Sequence, residues 1–347
     1  MKVDAVVVGQ GLAGTLLSYF LMTNNKSVLV IDSPDHKSAS MHSSGVVNPI
    51  TGRRFVKSWL IDEILPFAKE TYQSLELLLD KNLIQSQQIK KIIHSVEEIN
   101  NLSASAGTQD YLPYLSSEEI KHLDEKRFHN PYGYFEIHQS FRVDVKSLLS
   151  SFRSFLEKKG FLMDERFDYR LLDVSSSTYK NICFDKLIFC EGYRNIENPF
   201  FKYLPVKPNK GQYLLLDRNQ VPIESTVTGA GIISPLDTKT LYAGATYEWQ
   251  FEDDGPTEEG LKNLKTNIDS LVVTPYDIIA HKSGIRPTSP DRRPMLGAHP
   301  EMKNLAILNG FGAKGTSLAP YFAEQLVDHL WNCSSLNPEV DILRYKT

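Results

Sequence analysis

The chain has 347 residues, more than one typical domain of ~100–200 residues, so two domains or one large α/β unit is expected. Hydrophobic residues make up 41% and charged residues 23%, which excludes disordered and fibrous classes, and no apolar run approaches the ~18 residues of a transmembrane helix. The net charge of −4 disfavours a nucleic-acid-binding protein, and three cysteines without a C-x-x-C pair disfavour a disulfide framework or zinc site, so a cytoplasmic protein without a metal site is expected.

The first 32 residues predict a complete βαβ unit. Val3–Val8 is a short, apolar, β-branched run, which is typical of a parallel strand buried on both faces. A glycine-rich turn follows it, then a helical stretch over Thr15–Met22. A second buried strand is expected over Ser27–Ile31 and ends at Asp32.

The turn inside this unit has the G-x-G-x-x-G spacing of a dinucleotide-binding fingerprint, in the strand–turn–helix context that the fingerprint requires. Gly9 permits the tight turn, Gly11 lets the backbone approach a pyrophosphate, and Gly14 lets the helix pack against the strand. Asp32 is placed to accept hydrogen bonds from an adenosine ribose, which disfavours a 2′-phosphate. The motif alone does not separate FAD from NAD. The candidate cofactor-binding residues here are Gly9, Gly11, Leu12, Ala13, Gly14, Asp32 and Ser33.

Further elements follow in chain order. A long polar loop is expected over Ser33–Arg54, and helices are expected over Ser58–Leu79 and Val143–Lys159. The other predicted elements are strands at Phe184–Cys190, Tyr213–Leu216, Gly231–Ser234 and Leu241–Thr246, a helix at Glu258–Leu271, a loop at Gly284–Gly297, a strand at Leu305–Leu308 and a helix at Ser317–Leu330.

A second strand–glycine turn–helix start lies near the end of the chain, over Gly310–Thr316. The backbone N–H groups and the dipole of the following helix make such a turn electropositive. One nucleotide fold does not need two such sites. A flavin can use both, one for its pyrophosphate and one for the pyrimidine end of its ring, so the pair of turns favours FAD.

These motifs together resemble the D-amino-acid oxidase family of FAD-dependent oxidoreductases, which includes glycine oxidase, sarcosine oxidase and the oxidase domain of a bifunctional tRNA-modifying enzyme. The matching landmarks are Gly9–Gly14 with Asp32, Ser43-Ser44-Gly45, Gly211-Gln212, Gly244-Ala245-Thr246, Gly284–Gly297 and Gly310–Pro320. The resemblance implies a Rossmann-like FAD-binding domain with an inserted antiparallel-sheet substrate domain. It assigns residues 1–85, 141–204 and 281–347 to the first domain, and residues 86–140 and 205–280 to the second.

The resemblance also implies roles for single residues. Arg286, in a G-x-R-P motif, takes the place of an arginine that binds the substrate carboxylate; a structural ion pair is the alternative. Lys314 takes the place of a cation near the flavin ring, with a solvated surface lysine as the alternative. The remaining implied cofactor contacts are Ser43, Ser44, Gly45, Cys190, Glu191, Gly192, Gly310, Gly312, Ala313, Lys314, Gly315 and Thr316.

Several features of the substrate side stay open. Arg53 is a candidate substrate contact, with a structural ion pair as an equal alternative. His42 stands one position before the Ser43-Ser44-Gly45 string, where some relatives attach FAD covalently; an ordinary loop histidine is the favoured interpretation. The tyrosine that amino-acid oxidases carry near the substrate is missing from Gly231–Pro235, which leaves Tyr247 and Trp249 as nearby alternatives. The aromatic segment Phe128–Phe135 is interpreted as core rather than pocket wall.

The resemblance implies a flavoenzyme that oxidises the C–N bond of an amino acid or N-substituted glycine by hydride transfer to flavin N5. The imine then hydrolyses, and dioxygen or another acceptor takes the electrons. Two alternatives are kept: an oxidase acting on a carboxymethylaminomethyl group of tRNA, and a non-catalytic flavin-binding protein. The expected partner is a small-molecule amine, and the sequence gives no oligomeric state.

Overall fold

The computed structural model describes residues 1–33, 38–115 and 120–345. The helices are α1 (Leu12–Thr23), α2 (Ile61–Leu79), α3 (Val96–Ala106), α4 (Val145–Lys159), α5 (Glu258–Asp269) and α6 (Gly315–Asn332). The strands are β1 (Lys2–Val8), β2 (Val28–Asp32), β3 (Val46–Val47), β4 (Ile50–Thr51), β5 (Val56–Lys57), β6 (Ile84–Ser86), β7 (Ile89–Ile92), β8 (Tyr134–Ile137), β9 (Phe141–Val143), β10 (Leu162–Asp164), β11 (Leu172–Asp173), β12 (Thr178–Tyr179), β13 (Ile182–Phe189), β14 (Lys207–Asp217), β15 (Thr226–Thr228), β16 (Ile232–Pro235), β17 (Thr240–Gly244), β18 (Ile278–Thr288), β19 (Met295–Ala298) and β20 (Leu305–Asn309).

The first large sheet is a parallel sheet in the order β10-β2-β1-β13-β20, with β19 antiparallel at the β20 edge. The side chains of β1 are buried on both faces because helices α1 and α6 cover one face and a second apolar cluster covers the other. The antiparallel hairpin of β11 and β12 extends from β13. This sheet forms the Rossmann-like half of the fold, and it brings the ends of β1, β2, β13 and β20 to one edge.

The second large sheet has the order β18-β14-β17-β16-β15-β7-β8. Its neighbours are antiparallel except for β15 and β7, and helix α5 packs against it through Leu264 and Ile268. The two sheets give the mixed α/β architecture that the resemblance implies, and the predicted fold class is confirmed.

Most predicted elements are confirmed within a few residues. The predicted helix at Val143–Lys159 is α4, and it ends at Gly160, whose φ of +69° favours glycine. The predicted loop over Ser33–Arg54 is interrupted by β3 and β4, and its residues 34–37 lie outside the described residues.

The predicted loop over Gly284–Gly297 is wrong. Most of its first half belongs to β18, and its last residues belong to β19. The sequence suggested a loop because Pro287 removes a backbone donor. In the structure, β18 pairs only with β14 among the described strands, and an edge strand tolerates proline.

The proposed division into two domains stays a prediction. Strand β18 crosses the expected boundary at residues 280/281 while it pairs with β14 along its length. Among the described residues, no helix has both the length and the apolar character needed to cross a membrane. The same residues include no group of three or more His, Cys, Asp or Glu side chains arranged to hold a metal ion.

Candidate functional site

A cavity of about 740 Å³ lies where the two large sheets meet, near the upper end of the ~300–1,000 Å³ range of ligand pockets. The N-termini of α1 and α6 both open into it. It brings together predicted residues that are separated by up to 307 positions in the chain. The predicted site residues that line it are Gly9, Gly11, Leu12, Ala13, Asp32, Ser33, Ser43, Ser44, Cys190, Glu191, Gly192, Arg286, Gly312, Ala313, Lys314, Gly315 and Thr316.

The glycine turn after β1 contains two close approaches of the backbone. Gly9 has φ +99°, and a Cβ there would lie 2.6 Å from the carbonyl oxygen of Cys190. A Cβ at Gly14 would overlap the carbonyl oxygen of Gly9, so Gly14 lets α1 begin against the end of β1. Gly11 is the N-cap of α1 and has no side-chain capping bond; the Leu12 N–H donates to Ser40 Oγ at 3.1 Å, and the N–H groups after it in the first turn are those that face an anion.

The second turn presents the N-terminus of α6 to the same cavity. All residues of α1 and α6 are described, and the first turn of each helix holds no acidic side chain. Lys314 is the N-cap residue of α6, and its Nζ donates to Ser58 Oγ at 3.2 Å. The side chain is exposed in the open cavity, yet desolvation of its ammonium group and the positive charges of Arg292 and Arg293 lower the pKa of Lys314.

Asp32 lies at the end of β2, beside the first turn. Its Oδ1 accepts a hydrogen bond from the Gln10 backbone N–H at 2.9 Å, and its Oδ2 accepts one from Arg153 Nη1 at 2.8 Å. Arg153 also lines the cavity, and the sequence analysis missed it. A carboxylate has about four lone-pair sites, so Asp32 keeps acceptor capacity for ribose hydroxyls beside these two bonds.

Glu191 lines the cavity beside Cys190. Desolvation raises the pKa of Glu191 to about 7, although hydrogen bonds from Tyr169 Oη and Asn198 Nδ2 act in the opposite direction. Its neighbour Cys190 is buried, and burial raises the pKa of its thiol, which is typical of a small hydrophobic residue and not of a nucleophile.

The raised pKa of Glu191 predicts a loss of stability with rising pH in the protein freed of cofactor. From the ordinary value of 4.5 up to about 7, the folded chain keeps a proton on Glu191 that the unfolded chain has released. The free energy of unfolding therefore falls across this window, and the contribution of Glu191 is lost above it. Urea unfolding at pH 5 and pH 8 should show a smaller fall for Glu191→Gln than for the wild type. The exposed-site control Glu125→Gln should match the wild type, and an equal fall in all three proteins would contradict the assignment.

Arg286 lies on β18 and lines the cavity. Its Nη1 donates to Asn209 Oδ1 at 2.9 Å and to the Thr246 carbonyl oxygen at 3.1 Å, and its Cζ lies 4.3 Å from the ring centroid of Tyr247. No carboxylate of the described residues forms an ion pair with its guanidinium, so the alternative of a structural ion pair is not supported there. A Cβ at Gly211 would overlap Nη2, so glycine at that position makes room for the guanidinium.

Aromatic side chains beside Arg286 complete this end of the cavity. The rings of Tyr213 and Tyr242 stack with centroids 4.6 Å apart, and His42 Nδ1 lies 3.0 Å from Tyr213 Oη. These tyrosines come from β14 and β17 and not from the strand in which the sequence analysis sought one. Tyr247 lines the cavity, as anticipated for a nearby alternative, whereas the exposed Trp249 does not line it.

Four predicted site residues do not line the cavity. Gly14 and Gly45 instead allow close backbone packing, since a Cβ at Gly45 would overlap the carbonyl oxygen of Val143. Gly310 has φ +78° and packs against Met295 in the turn before α6. Arg53 is exposed, so its assignment to the substrate remains a prediction without geometric support.

Most of the aromatic segment is core, although Tyr132 is exposed. Phe128 and Tyr134 are buried in the cluster that covers the second sheet, and Phe135 is buried in the cluster under α1 and α6.

A family model described as "FAD dependent oxidoreductase" matches residues 4–329. The chain belongs to this family. The residues present fit its cofactor, because two helix N-termini without side-chain caps open on one cavity and Gly11 leaves the first of them accessible. The acceptor capacity that Asp32 keeps beside its two hydrogen bonds also fits a ribose. FAD is thus the cofactor of this oxidoreductase.

Comparison with individual proteins agrees with the family. The chain is 24% identical to a glycine oxidase of Pseudomonas aeruginosa over 367 residues, covering 99% of this chain and 98% of the relative. It is 29% identical over 133 residues to the tRNA 5-methylaminomethyl-2-thiouridine biosynthesis bifunctional protein MnmC of Idiomarina loihiensis, a match that spans 37% of this chain but only 22% of that protein. The crystal structure of glycine oxidase from Geobacillus kaustophilus superposes with a TM-score of 0.79 at 17% identity, covering 99% of this chain and 98% of that one.

Proposed function

We propose that the protein oxidises the C–N bond of an amino acid or N-substituted glycine, with the substrate carboxylate held by Arg286. The single observation that carries the proposal is a half-buried arginine that lines the cavity and has no carboxylate partner among the described residues. Its Nη1 donors are used by Asn209 and Thr246, and its Nε–Nη2 edge keeps two parallel N–H donors. Such an edge matches the two oxygens of a carboxylate.

The residues of the chain bind and orient the substrate. Arg286 fixes the carboxylate, and the stacked rings of Tyr213 and Tyr242 supply an apolar wall beside it. Holding the substrate in one orientation contributes a large part of the rate enhancement in such reactions. FAD held at the N-termini of α1 and α6 would supply the hydride acceptor for the carbon next to nitrogen and the route for its electrons to dioxygen or another acceptor. The substrate amine must be neutral to release hydride, so the rate is expected to rise with pH toward the amine pKa, and water hydrolyses the imine product.

Lys314 is proposed as the cation at the flavin end of the cavity. It sits at the N-terminus of α6, so its charge adds to the positive end of the helix dipole. The charge of Lys314 and the dipole of α6 both favour negative charge at this position. Covalent attachment through His42 stays an untested alternative, and complete release of flavin from denatured protein would contradict it.

The tRNA alternative has less support in the site. One of the arginines that would make a basic surface, Arg293, donates to Glu339 at 2.8 Å and lies over the ring of Trp59 at 4.1 Å. Arg293 is therefore held by neighbours within the fold. The similarity to MnmC covers 37% of this chain for the Idiomarina loihiensis protein and 93% for the Acinetobacter baylyi protein, of which it spans 52%.

An oxygen-uptake assay tests the proposal. The protein with FAD bound is supplied with glycine, sarcosine and a D-amino acid, and separately with methylamine, which lacks a carboxylate. The proposal expects oxygen uptake or dye reduction with at least one carboxylated amine and none with methylamine. Activity only on tRNA carrying a carboxymethylaminomethyl group would favour the tRNA alternative, and FAD that no amine reduces would favour the non-catalytic one.

A further inference from the structure

The guanidinium of Arg286 is held in one rotational position by a neighbour on the next strand. Asn209 faces Arg286 directly in the register of β14 and β18, and its Oδ1 accepts from Nη1 at 2.9 Å. The second Nη1 donor goes to the Thr246 carbonyl oxygen at 3.1 Å. With both Nη1 hydrogens used, the remaining donors are those of Nε and Nη2.

The side chain of Asn209 is itself fixed at both ends. It is fully buried, and its Nδ2 donates to the carbonyl oxygen of Glu248 at 3.2 Å. A buried amide that donates at one end and accepts at the other cannot turn over without leaving two groups unpaired, which is unfavourable. The acceptor therefore stays directed at Arg286.

The segment that supplies Thr246 and Tyr247 is anchored by buried polar groups. Lys210, next to Asn209 on β14, has only 1% of its surface exposed. Its Nζ donates to the carbonyl oxygens of Asp253 at 3.2 Å and Gly255 at 3.1 Å, and it lies 3.4 Å from Glu248 Oε2.

Gln212, two residues further along β14, completes this anchor. Its Nε2 donates to Glu248 Oε1 at 2.7 Å and to Thr257 Oγ1 at 2.9 Å. Residues 246–257 are thus hydrogen-bonded to β14 at both ends of the segment. The groups around Arg286 are therefore in place before any substrate binds.

We propose that Asn209 is a positioning residue that makes the Nε–Nη2 edge of Arg286 the surface a substrate carboxylate meets. This inference rests on the proposed function, because it assumes that Arg286 takes a carboxylate. Without Asn209, the Thr246 carbonyl oxygen is the one remaining acceptor at Nη1 among these two, so the guanidinium is held less firmly, and binding a carboxylate then costs more of the entropy of fixing it. Asn209 does not line the cavity, so it acts through Arg286.

Acetate is the probe, and its binding to the FAD-loaded protein is followed by the change in the flavin absorption bands. Asn209→Ala is expected to weaken acetate binding about tenfold while the dissociation constant for FAD stays unchanged. Asn209→Asp, which is close in shape, keeps an acceptor at Nη1 but offsets the charge of Arg286, and is expected to weaken acetate binding without loss of FAD. Asn130→Ala is the matched control, because Asn130 is also buried and bonded to backbone but lies away from the cavity.

The variant Arg286→Gln distinguishes a wrong positioning role for Asn209 from a wrong assignment of the carboxylate site. If Arg286→Gln loses acetate binding while both Asn209 variants bind acetate within twofold of the wild type, the positioning role is wrong and the proposed function stands. If Arg286→Gln binds acetate as the wild type does, or if the wild type binds none, the proposed carboxylate site is wrong. A loss of FAD affinity in Asn209→Asp that matches its loss of acetate affinity would show a merely structural role and also overturn the inference.

Discussion

Gly14→Ala is expected to abolish FAD binding. The new methyl group would overlap the carbonyl oxygen of Gly9, and both partners of the clash are backbone or fixed to it. Either α1 moves away from β1 or the turn opens, and each change displaces the N–H groups at the start of α1 that are available to the pyrophosphate. We expect at least a 100-fold rise in the dissociation constant for FAD, which corresponds to about 2.7 kcal/mol.

The measurement is the quenching of flavin fluorescence when FAD is added to cofactor-free protein. Gly107→Ala is the matched control, since Gly107 ends α3 with φ −75° and a Cβ there would meet its nearest neighbour at an ordinary 3.4 Å. The control should bind FAD as the wild type does. Undiminished FAD affinity in Gly14→Ala would mean that the first turn is not the pyrophosphate site.

Arg286→Gln is expected to raise the KM for a carboxylated amine substrate about 100-fold and to leave FAD content unchanged. The substitution removes the Nε–Nη2 edge and its charge, and charge-assisted hydrogen bonds are worth about 1.5–3 kcal/mol each. Glutamine still offers a donor toward Asn209, so the polar surroundings of the site keep a partner.

The informative result is a change in KM without a change in the affinity for FAD. Arg344→Gln is the control, because Arg344 also lies over an aromatic ring, that of Tyr345 at 4.5 Å, but does not line the cavity. An equal loss of FAD binding and substrate binding in Arg286→Gln would assign the arginine to the fold and not to the substrate.

The sequence predicts the βαβ unit of the cofactor-binding region because its pattern is local. The turn of Gly9–Gly14 and the end of β2 at Asp32 are read from one βαβ unit, in which the roles of the glycines follow from their spacing. The structure confirms this unit. It also shows that Arg153, in α4, donates to Asp32, a contact that no motif in the sequence indicates.

The substrate half depends on pairing between distant strands. Asn209 and Arg286 are 77 residues apart and meet only because β14 and β18 pair in a particular register. In addition, Pro287 lies within β18, and proline is more typical of a loop than of a strand. The stack of Tyr213 on Tyr242 has the same origin, since it joins neighbouring strands across 29 positions of sequence.

The most direct test of the central claim is anaerobic mixing of the FAD-loaded protein with glycine, sarcosine or a D-amino acid, followed at about 450 nm, where oxidised flavin absorbs. We expect at least one of these carboxylated amines to bleach the flavin and methylamine to leave it oxidised. We also expect Arg286→Gln to lose the reaction at the same substrate concentration. Bleaching by methylamine at an equal rate, or no bleaching by any carboxylated amine, would contradict the proposed oxidation of a carboxylated amine.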